Sequence, residues 1–173
     1  MRILVLAGGE GRRIGGAKPQ RLLGGEPLLD RALRFARAWS DVVEVADGST
    51  DAPGIDGPLG AVAGALAGGG DLLTIPCDMP FLPDDLAARL GRTHAAAALA
   101  ESGGRLHPIC ALWRARAGEG LAAYLATGRR SLHGFAAAVG YETVGWSDAP
   151  IDPFFNVNDA DDLARAEAML RSR

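Results

Sequence analysis

Hydrophobic and polar positions fall in blocks along this chain, and the blocks predict the elements. Ile3, Leu4, Val5 and Leu6 form an unbroken apolar run, the pattern of a strand buried on both faces of a parallel sheet. A glycine-rich polar loop replaces it from Gly8 to Gly16. Leu29, Leu33, Ala36 and Trp39 then recur at helical spacing, with Pro27 suited to the first turn. Val42 to Ala46 predicts a second short strand, followed by a polar turn from Asp47 to Gly57. Leu59 to Leu66 reads as a helix of small residues that can lie close on a sheet, and Leu72 to Ile75 as a third strand. That strand runs into Pro76-Cys77-Asp78-Met79-Pro80. Pro83, Asp84 and Asp85 open the next helix, which reaches about Leu90, with acids near the positive end of its dipole.

The second half alternates less cleanly. Ala95 to Ala100 and Ile109 to Trp113 predict strands, Leu121 to Ala126 and Ser131 to Val139 helices, and Tyr141 to Val144 a further strand. Asn158 is the expected cap of a last helix whose inner face carries Leu163, Ala166, Met169 and Leu170. Strands alternating with helices signify an α/β fold, a mostly parallel sheet with helices on both faces. Ligands of such sheets sit at the carboxyl ends of the strands. The loops from Gly8 to Lys18, Asp47 to Gly57 and Pro76 to Pro80 should therefore meet at one site.

Composition narrows the classes. The 173 residues fit one domain, 1–173, large enough for a substantial core without disulfide or metal staples. Hydrophobic residues are 48% and charged residues 23%, which excludes disorder. The net charge of −3 provides no basic field for nucleic acid. The longest uncharged stretch, Gly57 to Gly70, is half glycine and proline and too short to span a bilayer. The five-residue apolar run at the start is too short for a signal peptide. Two cysteines, Cys77 and Cys110, cannot build a disulfide framework, so a reducing compartment, the cytoplasm, is expected.

The first loop carries the strongest chemistry. Five glycines from Gly8 to Gly16, with Arg12, Arg13 and Lys18, follow directly on a buried strand. Glycines let backbone N–H groups close around phosphate oxygens, and three cations suit a nucleoside triphosphate. Neither the dinucleotide G-x-G-x-x-G spacing nor a P-loop fits, because Ile14 and the Ala17-Lys18-Pro19 ending break them. The plainer alternative is a tight turn with solvated arginines.

Asp78 stands just past a strand between Pro76 and Pro80, placed to bind Mg²⁺, which takes only one or two protein carboxylates beside waters and phosphates. Its bland alternative is a helix cap. Asp47, Asp51 and Asp56 in the second loop can each be simple turn formers. His107, in His107-Pro108, divides evenly between a structural and a functional role, and His94 and His133 are not expected to be catalytic. Cys77 reads as a small buried apolar residue. Asn156, unlike Asn158, has no capping role to account for it.

LAGGEGRRIGGAK at 6–18, DGPLGAVAG at 56–64, PCDMPFLPDDL at 76–86, HP at 107–108, GRRS at 128–131 and FFNVNDADDL at 154–163 occur in that order. Together they resemble the molybdenum cofactor guanylyltransferases, and the likeness covers nearly the whole chain. It implies a Rossmann-like three-layer sandwich of the nucleotide-diphospho-sugar transferase type. It also implies a reaction in which molybdenum-bound molybdopterin and GTP give the guanine dinucleotide cofactor and pyrophosphate, with Mg²⁺. By resemblance Leu6, Ala7, Gly8 and Gly9 line the base and ribose, Lys18 contacts the phosphates with Arg12 and Arg13 beside it, and Asp78 holds the metal. Asp51 reads guanine, and Gly16, Gly57, Asn156 and Asn158 face molybdopterin. Molybdenum-insertion and molybdoenzyme chaperone proteins are the implied protein partners. The sister readings are a molybdopterin cytidylyltransferase and a sugar-phosphate nucleotidyltransferase. A nucleotide-binding module without chemistry is the reading from another class.

Overall fold

The computed structural model describes residues 1–7, 18–46, 48 and 51–172. In chain order they form β1 (Arg2–Leu6), a short hairpin of β2 (Leu22–Leu23) and β3 (Glu26–Pro27), α1 (Leu28–Trp39), β4 (Val43–Ala46), α2 (Pro58–Ala67), β5 (Leu72–Pro76) and α3 (Leu86–Gly91). There follow β6 (Ala97–Ser102), β7 (Arg105–Trp113), α4 (Leu121–Ala126), α5 (Leu132–Val139), β8 (Tyr141–Trp146) and α6 (Ala160–Arg171). Six strands make one sheet in the order β4-β1-β5-β7-β6-β8. β7 is antiparallel to both its neighbours, and the other pairings are parallel.

Alternation along the strands divides the core in two. Ile3, Val5, Leu73, Ile75, Cys110 and Leu112 face one side, where α1 supplies Phe35 and Ala36 and α3 supplies Leu86 and Leu90. Leu4, Leu6, Leu72, Ala111 and Trp113 face the other, under Leu59 and Val62 of α2, Tyr124 of α4 and Phe135 of α5. This is the expected sandwich of a sheet between two helical layers. Trp113 and Phe135 stack at 5.2 Å, and the Trp113 indole N–H reaches Thr74 Oγ1 at 3.2 Å, so the buried polar tip is satisfied. A third cluster, Leu23, Leu28, Phe81, Val157 and Ala166, fastens α6 and the β2–β3 hairpin to the sheet's carboxyl end. There Gly24 donates its N–H to Glu167 Oε1 at 2.7 Å.

The structure differs from the sequence reading in four places. The cap of α6 is Asp159, whose carboxylate accepts from the Asp162 N–H at 2.8 Å, rather than Asn158. Asp162 answers by accepting from the Asn158 N–H at 2.8 Å. The two bonds pin the first turn of α6 one residue later than expected. The turn at Pro83 to Asp85 precedes α3 instead of opening it. β7 begins at Arg105, so His107 lies inside a strand, and the short β2–β3 hairpin carries no hydrophobic alternation long enough to predict it. Among the described residues no helix is long and apolar enough to cross a membrane.

Candidate functional site

The sheet register aligns three strand ends. Leu6 pairs with Ala46 on one side and with Pro76 on the other. Just beyond that row the Ala7 N–H donates to the Ala46 carbonyl at 3.0 Å, and the Cys77 N–H donates to the Leu6 carbonyl at 3.1 Å. The chain runs from β1 to β4 on one side and then crosses β1 to reach β5 on the other. This is the topological switch point, where α/β sheets bind ligands. Leu6 and Ala7 stand on it. Gly8, Gly9, Arg12, Arg13 and Gly16 lie outside the described residues, as do Asp47 and the side chain of Lys18.

Asp78 follows β5 at this edge, half-buried between the buried Cys77 and Met79. Its carbonyl accepts the Val157 N–H at 2.9 Å. That bond brings the segment from Asp152 to Asn158 to the site, with Asn156 and Asn158 on either side of the anchored residue. Asn156 Oδ1 is buried without a hydrogen-bond partner among the described residues. Asn158 is exposed. Asp78 does not cap α3, since Asp85 occupies that position.

Asp51 sits in a compact turn folded onto the start of α2. The Ala52 N–H donates to the Gly60 carbonyl at 2.9 Å, and the Ile55 N–H to the Ala52 carbonyl at 3.2 Å. The turn lies so close that a Cβ at Gly60 would come within 2.0 Å of the Ile55 carbonyl oxygen. Gly57 ends it with φ 75 and ψ −164, a conformation that glycine alone adopts at low cost. Asp51 Oδ1 is buried and without a hydrogen-bond partner among the described residues. A buried acceptor left open in this way is costly unless a ligand donates to it. Asp56 is exposed.

His107 is buried and stacks on Phe154 at 4.6 Å. Its Nε2 lies 2.9 Å from Ser102 Oγ, which donates to Asp152 Oδ1 at 2.8 Å. The hydroxyl has one proton and gives it to the carboxylate, so Nε2 is the donor in the bond to Ser102. Burial holds the imidazole below its usual range, overcoming the opposing pull of the Asp152 carboxylate. Ser102 and Asp152 carry no signal in the sequence beyond a strand end and an Asp-Pro turn. His94 and His133 are exposed. Cys110 is wholly buried, its Sγ 3.5 Å from Met79 Sδ, and burial pushes its thiol well up. Cys77 is buried as expected.

A groove of about 510 Å³ lies at the opposite end of the sheet, lined by Asp71, Thr93, His94, Arg114 and Arg116. Arg114 spans it, donating to Asp71 at 2.7 Å and to the Gly91 and Thr93 carbonyls at 2.8 and 2.6 Å. Both its terminal guanidinium nitrogens are bonded to the protein there. Of the predicted site residues, Leu6, Ala7 and Asp78 stand instead at the switch-point end. Among the described residues no group of three His, Cys, Asp or Glu side chains forms a metal cluster.

The sequence profile of the MobA-like NTP transferase domain matches residues 3–140. The molybdenum cofactor guanylyltransferase of Cereibacter sphaeroides is 42% identical over 189 aligned positions, covering 97% of this chain and 96% of the relative. That of Rhodobacter capsulatus is 40% identical, covering 97% and 95%. Among solved structures, molybdopterin-guanine dinucleotide biosynthesis protein A from Archaeoglobus fulgidus matches all of both chains, with a TM-score of 0.74 at 22% identity. The 2-C-methyl-D-erythritol 4-phosphate cytidylyltransferase from Thermus thermophilus matches with a TM-score of 0.66 at 20% identity, covering 99% and 98%. These structural likenesses establish the nucleotide-diphospho-sugar transferase type of fold. With a profile match over most of its length and relatives at 40% identity or more over nearly all of both chains, this chain belongs to the MobA-like NTP transferase family.

Proposed function

We propose that this protein transfers GMP from GTP to molybdenum-bound molybdopterin, releasing pyrophosphate, and that residues 1–173 act as one cytoplasmic nucleotidyltransferase domain. The observation that carries the reading is the row Ala46, Leu6 and Pro76. It sets the end of β1, from which the glycine loop continues in sequence, beside the strand that leads to Asp78, in a family with relatives that bear the guanylyltransferase name.

An oxygen of the molybdopterin phosphate attacks the α-phosphorus of GTP, and the bond to the β-phosphate oxygen breaks. The nucleophile is already an anion, so the protein's work is alignment and charge neutralisation rather than proton removal. Backbone N–H groups of Gly8 and Gly9 and the cations Arg12, Arg13 and Lys18 receive the triphosphate charge. Leu6 and Ala7 form the floor under the nucleoside. Asp51 reads the base: a carboxylate accepts only, and guanine alone among the common bases offers N1–H and an amino group side by side. The open, buried Oδ1 of Asp51 supports this role. Gly16, Gly57, Asn156 and Asn158 face molybdopterin, and Asn156 Oδ1 has spare acceptor capacity there.

Asp78 fits a Mg²⁺ ion. It is a hard oxygen donor at the strand end, its own carbonyl tied back by Val157, and one carboxylate suffices when substrate phosphates complete the shell. The ion supplies neutralisation of the phosphate charge when bound. Molybdenum-insertion and molybdoenzyme chaperone proteins are the partners that would deliver the acceptor and take the product.

The test is pyrophosphate release from GTP, CTP and ATP, each with and without molybdopterin. GTP with molybdopterin should give turnover. Asp51→Asn should weaken GTP use and improve that of xanthosine triphosphate, whose carbonyl the amide N–H can satisfy. Preference for CTP would replace this reading with the cytidylyl one.

A further inference from the structure

We infer that Ser102, His107 and Asp152 form a latch that positions the acceptor-binding segment against Asp78, and that the three are positioning residues for the transfer. The latch begins on the β6–β7 hairpin. Gly103 and Gly104 turn it with φ 54 and 75, and a Cβ at Gly103 would lie 2.7 Å from Asp148 Oδ2. The hairpin and the segment after β8 are therefore in close contact along this edge.

Three bonds run in series, and the middle one crosses the contact. His107 Nε2 donates to Ser102 Oγ at 2.9 Å, Ser102 Oγ donates to Asp152 Oδ1 at 2.8 Å, and the same Oδ1 accepts the Phe154 N–H at 2.9 Å. The Phe155 N–H also closes on the Asp152 carbonyl at 3.1 Å. The Phe154 ring lies on the imidazole at 4.6 Å and meets Trp146 edge-on at 5.5 Å. Three residues further on, the Val157 N–H reaches the Asp78 carbonyl at 2.9 Å. The side chains of Ser102 and His107 are buried, so water cannot readily replace a lost partner. The run from Asp152 to Val157 is thus held at both ends, by the latch and by Asp78, with Asn156 between them. Nothing else described gives this irregular segment a ladder to belong to.

The latch works by geometry, not by charge. An amide at position 152 still offers an Oδ1 that accepts from both Ser102 and Phe154, whereas alanine leaves both donors open. The kinetic arm of the test rests on the guanylyl-transfer reading, and the exchange arm does not.

Backbone hydrogen exchange is compared in the wild type, Ser102→Ala, Asp152→Ala and Asp152→Asn. We expect the Phe154 and Val157 amides to exchange about tenfold faster in the two alanine variants, with α2 and β1 unchanged, because a local opening becomes easier. The GTP dissociation constant should stay within twofold, and the KM for molybdopterin should rise about tenfold. Asp152→Asn should match the wild type in both readouts. If Ser102→Ala does not fold, Ser102→Cys, which keeps the volume and weakens both bonds, is read the same way. Unchanged Val157 exchange, acceleration spread evenly over the sheet, or an Asp152→Asn variant as impaired as Asp152→Ala would each overturn the latch. Loss of activity towards every acceptor with the exchange pattern as expected would count against the guanylyl-transfer reading and leave the latch standing.

Discussion

Adding one methyl group at Gly60 should disturb the turn proposed to read the base without replacing any residue in it. The Gly60→Ala Cβ would lie 2.0 Å from the Ile55 carbonyl oxygen and 3.3 Å from Asp51 Oδ2. Carbon and carbonyl oxygen pack comfortably at about 3.3 Å, so the turn must retreat by roughly 1 Å. The Ala52 N–H to Gly60 carbonyl bond, at 2.9 Å, resists that retreat. Overpacking of this kind costs about 1–3 kcal/mol, and the better helix propensity of alanine offsets about 0.5–1 kcal/mol. The net loss is about 1–2 kcal/mol, or a Tm lower by about 2–8 °C for a domain of this size. Activity should suffer more, because a shift of about 1 Å in a positioning carboxylate can reduce turnover on the order of a hundredfold. Thermal melts with and without GTP, and kcat/KM for GTP, measure the two effects. Gly91→Ala is the control: nothing lies within 4 Å of its Cβ, so it should hold or slightly raise Tm. A Gly60→Ala variant with wild-type Tm and wild-type kcat/KM would show that the turn does not rest on α2 as described.

Three further outcomes test the candidate site and the core beside it. Asp78→Asn should abolish pyrophosphate release at saturating Mg²⁺ while leaving the melting curve in place, since a lost metal ligand removes several kcal/mol of transition-state stabilisation; near-normal turnover would remove Asp78 from the metal site. Lys18→Ala and Arg12→Ala should each lower kcat/KM for GTP with Tm within a degree or two, and a variant that unfolds while retaining its activity per folded molecule would reassign that residue to the fold. His107, held by burial below its ordinary value of 6.5, resists protonation in the folded state. The unfolded chain then binds more protons in the window just below pH 6.5, so the stability present above that pH is lost as pH falls through the window. His107→Asn should flatten the fall of Tm there, and an unaltered slope would assign the pH dependence to other groups.

The first half of the fold is legible in the sequence because each element carries its own period. Ile3 to Leu6 and Leu72 to Ile75 are unbroken apolar runs, and they are the two strands buried on both faces at the switch point. Asp78 stands out by the same logic: two prolines hold a carboxylate just past such a strand, at the end of the sheet where ligands bind. What the sequence leaves open depends on pairing. The direction of β7 is set by its partners Leu72 to Thr74 on one side and Ala97 to Ser102 on the other, and no property of Arg105 to Trp113 taken alone distinguishes a parallel from an antiparallel strand. The cap of α6 falls one residue beyond the expected Asn158 because Asn158 and Asp159 are both good caps. Only the reciprocal bond to Asp162 separates them.

The latch shows the same limit at the site itself. His107 is visible in the sequence as a residue with two equal readings, and its partners are not visible at all. Ser102 and Asp152 are 50 positions apart, and each alone has an ordinary local role, a strand end and an Asp-Pro turn. They meet because β6 and β8 run parallel, which returns the chain after Trp146 to the edge where β6 ends. The antiparallel β7 starts from that edge and brings His107 to it. Strand direction therefore has a functional consequence here. Had β7 run parallel to β6, its connection would have crossed the sheet and the imidazole would have entered from the far end. The segment carrying Asn156 would then reach Asp78 without the Ser102–Asp152 bond.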